Sequence, residues 1–262
     1  GEIASGSCGD YGYGVHNFNS TPVMMDVTAS ASNGAQSYGV YNSHSSPKMT
    51  GISASATGGS YSYGVKNDNS SPVMRNVTAS ASSGSNNNSG VHNFASSPEM
   101  TNVTASASGG SNSYGVTNDS TSAPLMTGVT ASASYASTNN IGVFNSASSP
   151  GMTNVTATAL GGTYAYAVNN NHSEPTINSS TLRASGGTNN YGVYNYSAVI
   201  YYTLRINNSQ VMGSTNTIYN NSYYTTRIGA TLLEGGNVTG GGVVTCAGVY
   251  DEAYNFYAST CP

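Results

Sequence analysis

Residues 38–59 read YGVYNSHSSPKMTGISASATGG, and the same phrase returns along the chain with small changes every 25 to 27 residues. Self-similarity at a fixed period of this length is typical of a solenoid, in which each repeat buries its apolar face only by stacking on its neighbours. The 262 residues are therefore expected to form one continuous stack rather than separate domains. The most regular element of the phrase is an asparagine, which recurs at Asn17, Asn42, Asn67, Asn93, Asn118, Asn145, Asn170, Asn195 and Asn220.

Two stretches of each repeat alternate with a period of two residues. In VTASAS at 27–32, apolar residues alternate with residues that carry hydroxyl groups. In YGVYN at 38–42, we expect Tyr38, Val40 and Asn42 to share one face. Such alternation is typical of β-strands that have one face buried and one face exposed.

A third short strand is predicted around a recurrent methionine, which falls at Met24, Met49, Met74, Met100, Met126 and Met152. Ser-Ser-Pro and Gly-Gly separate the strands and are turn signals. The density of Gly, Ser, Thr and Asn disfavours helices throughout. Three short strands and three turns in each repeat describe one coil of a parallel β-helix.

Equivalent residues of a parallel β-helix form columns, because neighbouring coils lie about 4.8 Å apart. The asparagine column can then bond each side-chain amide to the asparagines above and below it, as in stacked cross-β structures. An alternative is that asparagine only tolerates a turn conformation. Nine asparagines in phase favour the ladder.

The phrase GVYNSHSSPKMTGISASATGG at 39–59 resembles coils of right-handed parallel β-helix proteins of the pectin-lyase-like superfamily, and most of all the surface-protein coils written GGIYNS…SP…N-T…S. The resemblance covers about residues 11 to 195 and continues in degenerate form to about 245. It implies an all-β, right-handed solenoid of about 9–10 coils with three short strands per coil. That superfamily includes polysaccharide lyases, phage tailspikes, adhesins and passive surface fibres, so it implies a fold and leaves the function open.

Candidate catalytic groups do not assemble in the predicted columns. His16 and His92 share a column but lie three coils apart, too far to hold one metal ion. Asp68 and Asp119 are two coils apart, about 10 Å, which is near the spacing of inverting glycosidases, but Phe94 lies between them. The acidic cluster and basic residue that the lyase relatives carry on one strand face are also missing. We therefore predict no catalytic residue, no metal and no cofactor.

The composition limits the partners. Only 6% of the residues are charged, whereas about 25% is usual in soluble proteins. The chain has six lysines and arginines in all, which argues against nucleic acid, because phosphate binding needs clustered cations. No apolar run approaches the ~18 residues of a membrane span. The net charge of -4 and the phased apolar positions favour an ordered, hydroxyl-rich fold.

The chain has three cysteines, Cys8, Cys246 and Cys261. Cys246 and Cys261 bracket the C-terminal residues, and we predict a disulfide between them, which implies an oxidising compartment. Cys8 is then left over, and an odd cysteine in a secreted protein suggests a bond between chains or a free thiol. The location expected from this pattern is extracellular or at the cell surface.

Three arginines, Arg183, Arg205 and Arg227, end similar triplets spaced by 22 residues. Because Leu182 takes an inward alanine position, we expect the three side chains to point outward from successive coils, about 5 Å apart. Guanidinium groups at that spacing repel one another unless an anion lies on them. Solvation, contact with another subunit and an acidic glycan are the interpretations of this predicted arginine strip.

Two further columns are predicted to point outward and to form surfaces of the solenoid. The column after the recurrent valine changes freely from coil to coil, which we interpret as a solvent face; it reads His16, Tyr41, Lys66, His92, Thr117, Phe144, Asn169 and Tyr194. The hydroxyl column that begins at Thr28 resembles the arrays of β-helical ice-binding proteins. Those arrays favour paired threonines, whereas the second column here is mostly serine.

The predicted organisation is an N-terminal edge segment at 1–14, a parallel β-helix at 15–242 and a C-terminal cap or docking segment at 243–262. Within the β-helix, the coils are regular to 195 and degenerate over 196–242. We expect a structural subunit of an extracellular fibre or filament, formed by end-to-end stacking of copies of the chain and without catalysis. The alternative is a surface adhesin or glycan-binding stalk that uses the arginine strip, and a polysaccharide lyase or hydrolase and an ice-binding protein rank lower.

Overall fold

A computed structural model describes residues 2–7 and 9–262, and within them the chain is an all-β parallel solenoid of about nine coils with no helix. The described part thus contains no helix that could cross a membrane. In chain order, its strands are β1 (Glu2–Ser7), β2 (Tyr11–Phe18), β3 (Val23–Met25), β4 (Val27–Ser32), β5 (Gln36–Ser43), β6 (Lys48–Thr50), β7 (Ser53–Thr57), β8 (Tyr61–Asp68), β9 (Val73–Arg75), β10 (Thr78–Ser82), β11 (Asn87–Phe94), β12 (Glu99–Thr101), β13 (Thr104–Ser108), β14 (Asn112–Asp119), β15 (Leu125–Thr127), β16 (Thr130–Ser134), β17 (Asn139–Ser146), β18 (Gly151–Thr153), β19 (Thr156–Leu160), β20 (Tyr164–Asn171), β21 (Thr176–Asn178), β22 (Thr181–Ser185), β23 (Asn189–Tyr196), β24 (Tyr202–Asn207), β25 (Gln210–Asn220), β26 (Tyr224–Gly229), β27 (Leu232–Thr239), β28 (Val243–Ala247), β29 (Val249–Asp251) and β30 (Phe256–Tyr257).

Each regular coil contributes three strands, as predicted. A five- or six-residue strand such as β7 carries the alternating alanines, an eight-residue strand such as β8 carries the ladder asparagine, and a three-residue strand such as β9 carries the methionine. Equivalent strands of neighbouring coils pair in parallel and without a register shift over the regular coils. We call the three resulting surfaces the alanine face, the long-strand face and the methionine face.

The solenoid contains two parallel sheets. The methionine face is one sheet of ten strands. The alanine and long-strand faces form the second sheet, because β25 begins beside β22 on the alanine face and ends beside β23 on the long-strand face. The pair β29–β30 is antiparallel and folds the C-terminal residues back.

The core is built from one small set of side chains in every coil. Val40, Met49, Ile52, Ala54 and their equivalents are almost fully buried, and Ile177, Ile206 and Ile228 continue the methionine column. The outward alternate residues of the alanine face are the hydroxyl side chains. The period-two pattern of the sequence therefore reports the inside and outside of this face correctly.

The three corners of each regular coil are made by residues in the left-handed backbone region. After the methionine face these residues are Asp26, Gly51, Asn76, Asn102, Gly128, Asn154, Ser179, Asn208, Ala230 and Gly248, with φ between 44° and 65°. The corner after the alanine face uses Asn33, Gly58, Ser83, Gly109, Tyr135, Gly161 and Gly186. Glycine, asparagine and aspartate prevail because other L-residues lose about 1–2 kcal/mol in this conformation.

The serine before each Ser-Pro pair closes the third corner. The backbone N–H of Ser45 donates to Ser70 Oγ at 2.8 Å, and the N–H of Ser70 donates to Ser96 Oγ at 2.9 Å. In the degenerate coils the buried Tyr224 takes this role, since its hydroxyl accepts from the N–H of Ser173 and donates to the Ser173 carbonyl. These bonds satisfy backbone groups that the turn would otherwise leave without partners.

The paired strands extend beyond the predicted boundaries of the β-helix. Strand β1, within the segment 1–14, pairs in parallel with β4. At the other end, β28 pairs with β26 and β29 pairs with β27, although both follow residue 242. The predicted disulfide between Cys246 and Cys261 is confirmed. Cys8, for which we predict an interchain bond or a free thiol, lies outside the described residues.

Tyr135 provides a test of the corner conformation. Its φ is 59°, its side chain is 79% exposed, and its equivalents in the neighbouring coils are Gly109 and Gly161. We expect Tyr135→Gly to raise the free energy of unfolding by roughly 0.5–1 kcal/mol, because relief of the left-handed conformation outweighs the extra flexibility of glycine. Denaturant unfolding measures the change. Tyr135→Ala is the control, because it removes the ring but keeps the strain; an equal gain in both variants would contradict the explanation.

Candidate functional site

A row of hydrogen-bonded asparagine amides runs through the core, as predicted. Each ladder asparagine donates from Nδ2 to the Oδ1 of the asparagine one coil further on, at 2.8–3.1 Å in all eight steps from Asn17 to Asn220. The side chains from Asn42 onward are fully buried. Because an unpaired buried amide costs about 1–3 kcal/mol, the ladder ties each coil to one register.

The recurrent methionine serves the same amides. Asn17 Nδ2 lies 3.3 Å from Met24 Sδ, and Asn42 Nδ2 lies 3.6 Å from Met49 Sδ. The thioether sulfur is a weak acceptor, so it gives the second amide hydrogen a partner without adding a strongly polar group to the core. In the degenerate coils, the hydroxyl of Thr226 replaces the sulfur, at 3.2 Å from Asn195 Nδ2.

The two ends of the ladder differ. At the C-terminal end, Asn220 Nδ2 donates to the backbone carbonyls of Tyr224 and Val243 at 2.9 and 3.0 Å, so the ladder closes on the protein itself. At the N-terminal end, Asn17 donates forward to Asn42, and no described side chain donates to its Oδ1. Among the described residues, the ladder is thus satisfied at its C-terminal end and has an acceptor without a side-chain donor, Asn17 Oδ1, at its N-terminal end.

The first coil presents an apolar end face around this acceptor. Val15, Met24 and Val27 are the inward apolar residues of this coil, and Ile3, Val23 and Met25, which point outward in the columns of Thr28, Lys48 and Thr50, stand exposed at its rim. With Asn17, these residues border a hollow of about 700 Å³ at the end of the stack. We call this surface the N-terminal end face.

The last coil is partly covered by its own tail. Cys246 continues the methionine column after Ile228 and is buried, and its bond to Cys261 holds the tail against the core. Asp251 accepts hydrogen bonds from Asn255 and from the hydroxyl of Tyr257, which fix the turn between β29 and β30. Val243, Tyr254 and Phe256 remain exposed and form what we call the C-terminal end face.

The predicted arginine strip is wrong as one row of three. Arg205 and Arg227 are directly paired on the methionine face, but Arg183 lies on the alanine face, between Thr158 and Met212. The cause is coil length: the equivalent of Arg183 in the next coil is Met212, 29 positions further on, because Ile206 follows Asn195 by 11 positions whereas Ile177 follows Asn170 by 7, and only the next coil, from Arg205 to Arg227, is 22 positions long. The spacing of 22 therefore joins different faces, although Leu182 does take the inward alanine position and the three arginines are exposed.

The long-strand face carries a feature that the alternation rule did not predict. Tyr38 does not share a face with Val40 and Asn42; its ring stacks at 5.0 Å on the outward Tyr41. The reason is Gly39, where a Cβ would lie 2.6 Å from the carbonyl oxygen of Gly64. Gly39 and Val40 both face inward, so the strand bends and the side chains before and after them meet in a concave corner on the outside.

Stacked along the axis, these corners form an aromatic groove. One wall is the tyrosine column Tyr13, Tyr38, Tyr63, Tyr114, Tyr166 and Tyr191, and the other wall is the column after the recurrent valine. Tyr13–Tyr38 and Tyr38–Tyr63 centroids are each 5.2 Å apart with near-parallel rings. The interpretation of the second column as a solvent face is therefore wrong, since its side chains pack against the tyrosines.

Burial in the groove changes the titration of its side chains. Desolvation raises the pKa of Tyr63 to about 12. Desolvation also lowers the pKa of Lys66, whose ammonium lies 5.1 Å from the Tyr63 ring centroid, while Asp68 opposes that shift. The pKa of His92 is lowered to about 3, first by burial and then by the charge of Lys66. His92 is therefore neutral at pH 7.

The carboxylates are placed as predicted. Asp68 and Asp119 lie in one column with Phe94 between them. The described residues also contain one ion pair, Arg75 to Glu99 at 2.9 Å, which is about half exposed on both sides. An exposed pair of this kind contributes about 0–1 kcal/mol to stability. What these groups do chemically is structural: the tyrosine rings stack along the groove, and the asparagine amides hold the coils in register.

No protein-family model matches the sequence, and no curated protein matches it. Among solved structures the chain is similar to HetL, a pentapeptide repeat protein involved in heterocyst differentiation regulation from the cyanobacterium Nostoc sp. The identity is 7%, the TM-score is 0.28, and the match covers 93% of this chain and 92% of that chain. It is also similar to endo-xylogalacturonan hydrolase from Aspergillus tubingensis, with 11% identity, a TM-score of 0.23 and coverage of 88% and 75%. Scores this low carry no argument about function, and the solenoid is defined by its own strand pairing.

The ladder predicts different costs for the same substitution at its middle and at its end. Asn118→Ala leaves Asn93 Nδ2 and Asn145 Oδ1 without partners, and we expect a loss of about 3–5 kcal/mol. Asn17→Ala deprives only Asn42 Oδ1 of its donor, and we expect about 1–2 kcal/mol. Denaturant unfolding measures both. Equal losses would show that the amide bonds do not carry this stability.

The lowered pKa of His92 predicts that the free energy of unfolding depends on pH. Since the folded-state pKa is about 3 and an unfolded histidine titrates near 6.5, the unfolded chain binds a proton that the folded chain excludes. We expect the contribution to be complete above pH 6.5 and lost progressively towards pH 3, by up to about 4 kcal/mol. Unfolding at a series of pH values should show a shallower dependence in His92→Phe. His16→Phe, at an exposed position of the same column where desolvation lowers the histidine pKa as well, is the control and should change the pH dependence less than His92→Phe does.

Proposed function

We propose that the chain is a structural subunit of an extracellular fibre, built by end-to-end stacking of copies of itself. The observation that carries the proposal is the N-terminal end face, where Val15, Met24 and Val27 line a hollow of about 700 Å³, Ile3, Val23 and Met25 stand at its rim, and no described side chain donates to Asn17 Oδ1. Apolar surface of this kind gains free energy when it is covered.

The strands of this face favour another β-structure as the occupant. Strands β2 and β3 pair with β5 and β6 on one side, and their other edge is open in the described residues. An unprotected strand edge is a template for pairing with another chain. A second solenoid offers strands at the same spacing, so it can cover the edge and the apolar residues together.

The C-terminal end face supplies a different apolar surface, with Val243, Tyr254 and Phe256. Two unlike ends favour a heterologous contact, and such contacts generate open filaments when they do not close into a ring. Acidic side chains stand near both ends, Glu2 and Asp26 at one and Glu252 at the other. The contact should therefore strengthen as salt screens their repulsion.

The extracellular part of the proposal rests on the disulfide between Cys246 and Cys261, since such bonds persist in oxidising compartments. Membership of the pectin-lyase-like superfamily, with its right-handed coil, stays a prediction that rests on the repeat phrase. The second candidate is a glycan-binding stalk. It is favoured by the outward pair Arg205 and Arg227, because adjacent guanidinium groups suit an anionic ligand.

Val23→Glu tests end-to-end assembly. We expect wild-type protein to form filaments whose axial repeat is one stack of coils, roughly 45–50 Å at about 4.8 Å per coil, and to do so more readily as salt is raised. A glutamate at position 23 would place a further carboxylate at the rim of the N-terminal end face, near Glu2 and Asp26, and should weaken filament formation at low salt. Negative-stain electron microscopy and light scattering on non-reduced protein measure the outcome.

Leu125→Glu is the matched control. Leu125 occupies the same column as Val23 and is 55% exposed, but it lies in the middle of the stack. We expect its filaments to persist. A wild-type protein that stays monomeric at high concentration and at all salt concentrations would refute the proposal, and discrete rods would favour the glycan-binding stalk.

A further inference from the structure

The tyrosine column of the aromatic groove has a gap in the fourth coil. Ser89 pairs with Tyr63 on one side and with Tyr114 on the other, so it stands where a tyrosine stands in the adjacent coils. Two coil spacings of about 4.8 Å put the strand positions of Tyr63 and Tyr114 about 10 Å apart. Elsewhere in the column, consecutive rings stack at 5.2 Å. The gap therefore has the length of one missing ring.

The facing column is also open at this point. Thr117 stands between His92 and Phe144 in register, and it brings a small side chain where Tyr41 and Phe144 bring rings. The two small residues leave a cleft of about 170 Å³, walled by the rings of Tyr63, Tyr114 and Phe144. An apolar cavity of about 150 Å³ in another protein holds one benzene molecule, so the cleft has the size of one six-membered aromatic ring.

The cleft also contains polar groups that have no complete set of partners. Both ring nitrogens of His92 are buried and have no hydrogen-bond partner within residues 2–7 and 9–262, and His92 lines the cleft. Buried polar nitrogens without partners are rare and costly in folded proteins. On the floor, Ser89 Oγ donates to the Val91 carbonyl at 3.0 Å, so Thr117 Oγ1 is the donor in the 3.2 Å bond between the two hydroxyls, and both oxygens keep capacity only as acceptors.

A hydroxyl group on the ring satisfies this set best. A phenol hydroxyl can donate to the acceptor oxygens of Ser89 and Thr117, and the ring of His92, which stacks on Tyr63 at 5.5 Å, adds a further aromatic wall. Asp119 also lines the cleft, so a ring that carries a carboxylate would meet a like charge. Flat rings above and below favour an aromatic ring, which stacks on tyrosine in the geometry already present in the column.

We propose that the cleft between Tyr63 and Tyr114 binds one neutral phenol ring, which completes the tyrosine column where Ser89 interrupts it. The ring can belong to a free phenolic molecule or to an exposed tyrosine side chain of another polypeptide, since both present the same chemistry. The site lies on the side of the solenoid, so it is independent of the proposed end-to-end contact.

The test uses the full chain and 4-methylphenol as the probe. We expect saturable binding with a Kd on the order of 1 mM, as suits a ligand of so few atoms, measured by ligand-observed NMR and calorimetry. Toluene, which lacks the hydroxyl, should bind about tenfold more weakly. N-acetyltyrosinamide distinguishes the sources: binding equal to that of 4-methylphenol identifies a peptide tyrosine, and much weaker binding identifies a free phenol.

Ser89→Tyr is the decisive variant, because it supplies the missing ring from the chain itself and should abolish binding. Thr117→Phe fills the same cleft from the facing column and repeats the test if Ser89→Tyr does not fold. Ile141→Tyr is the matched control: position 141 is the other gap in the tyrosine column but lies outside the cleft, between Tyr114 and Tyr166, so binding should persist. No saturable binding of 4-methylphenol, equal binding of methyl glucoside, or equal loss in Ser89→Tyr and Ile141→Tyr would overturn the proposal.

Discussion

A primary amide buried in an apolar core needs a partner for its oxygen and for both of its N–H groups, and in this solenoid that partner is the same amide one coil away. Each asparagine between the two ends accepts at Oδ1, donates to the next asparagine and directs its second hydrogen towards the methionine sulfur or Thr226 where these are in reach. A shift of one residue in any coil would leave buried polar groups unpaired at two interfaces. The ladder thus fixes the register of every coil relative to its neighbours. Hydrophobic contacts between short side chains such as Ala54 and Val40 would specify this register less strongly.

Columns on the surface follow from this fixed register. Corner residues with positive φ recur in line, serine hydroxyls bridge successive turns, and tyrosine rings stack because each strand places them above the previous one. Because the register is fixed, a change of one residue in one coil alters the contacts of the column to which it belongs. One serine in the tyrosine column opens a cleft, and four extra residues after Asn195 lengthen that coil, so that the equivalent of Arg183 is Met212 and not Arg205.

The regular parts of the fold were accessible from the sequence because they depend on local periodicity. The alternating alanines, the recurrent methionine and the recurrent asparagine each appear in many coils. Because each pattern repeats so often, it is a reliable signal of the strand that carries it. The aromatic groove was not accessible in this way. The sequence feature that marks the groove is the order Tyr-Gly-Val. Gly39 allows two consecutive residues, Gly39 and Val40, to face inward, so Tyr38 faces outward. Strict period-two alternation instead places Tyr38 on the inward face. The unpartnered nitrogens of His92 depend on which side chains stand in the adjacent coils.

The sequence by itself determined the solenoid, its coil length, the three strands of each coil and the residues of the ladder, because each of these follows from a period that the chain repeats. It also determined the pairing of Cys246 with Cys261, since two cysteines close in sequence stand apart from the third. Only the tertiary structure decided which side chains meet between coils, because contact across the stack depends on the exact number of residues in each turn. The end faces, the division of the arginines and the aromatic cleft are all contacts of that second kind.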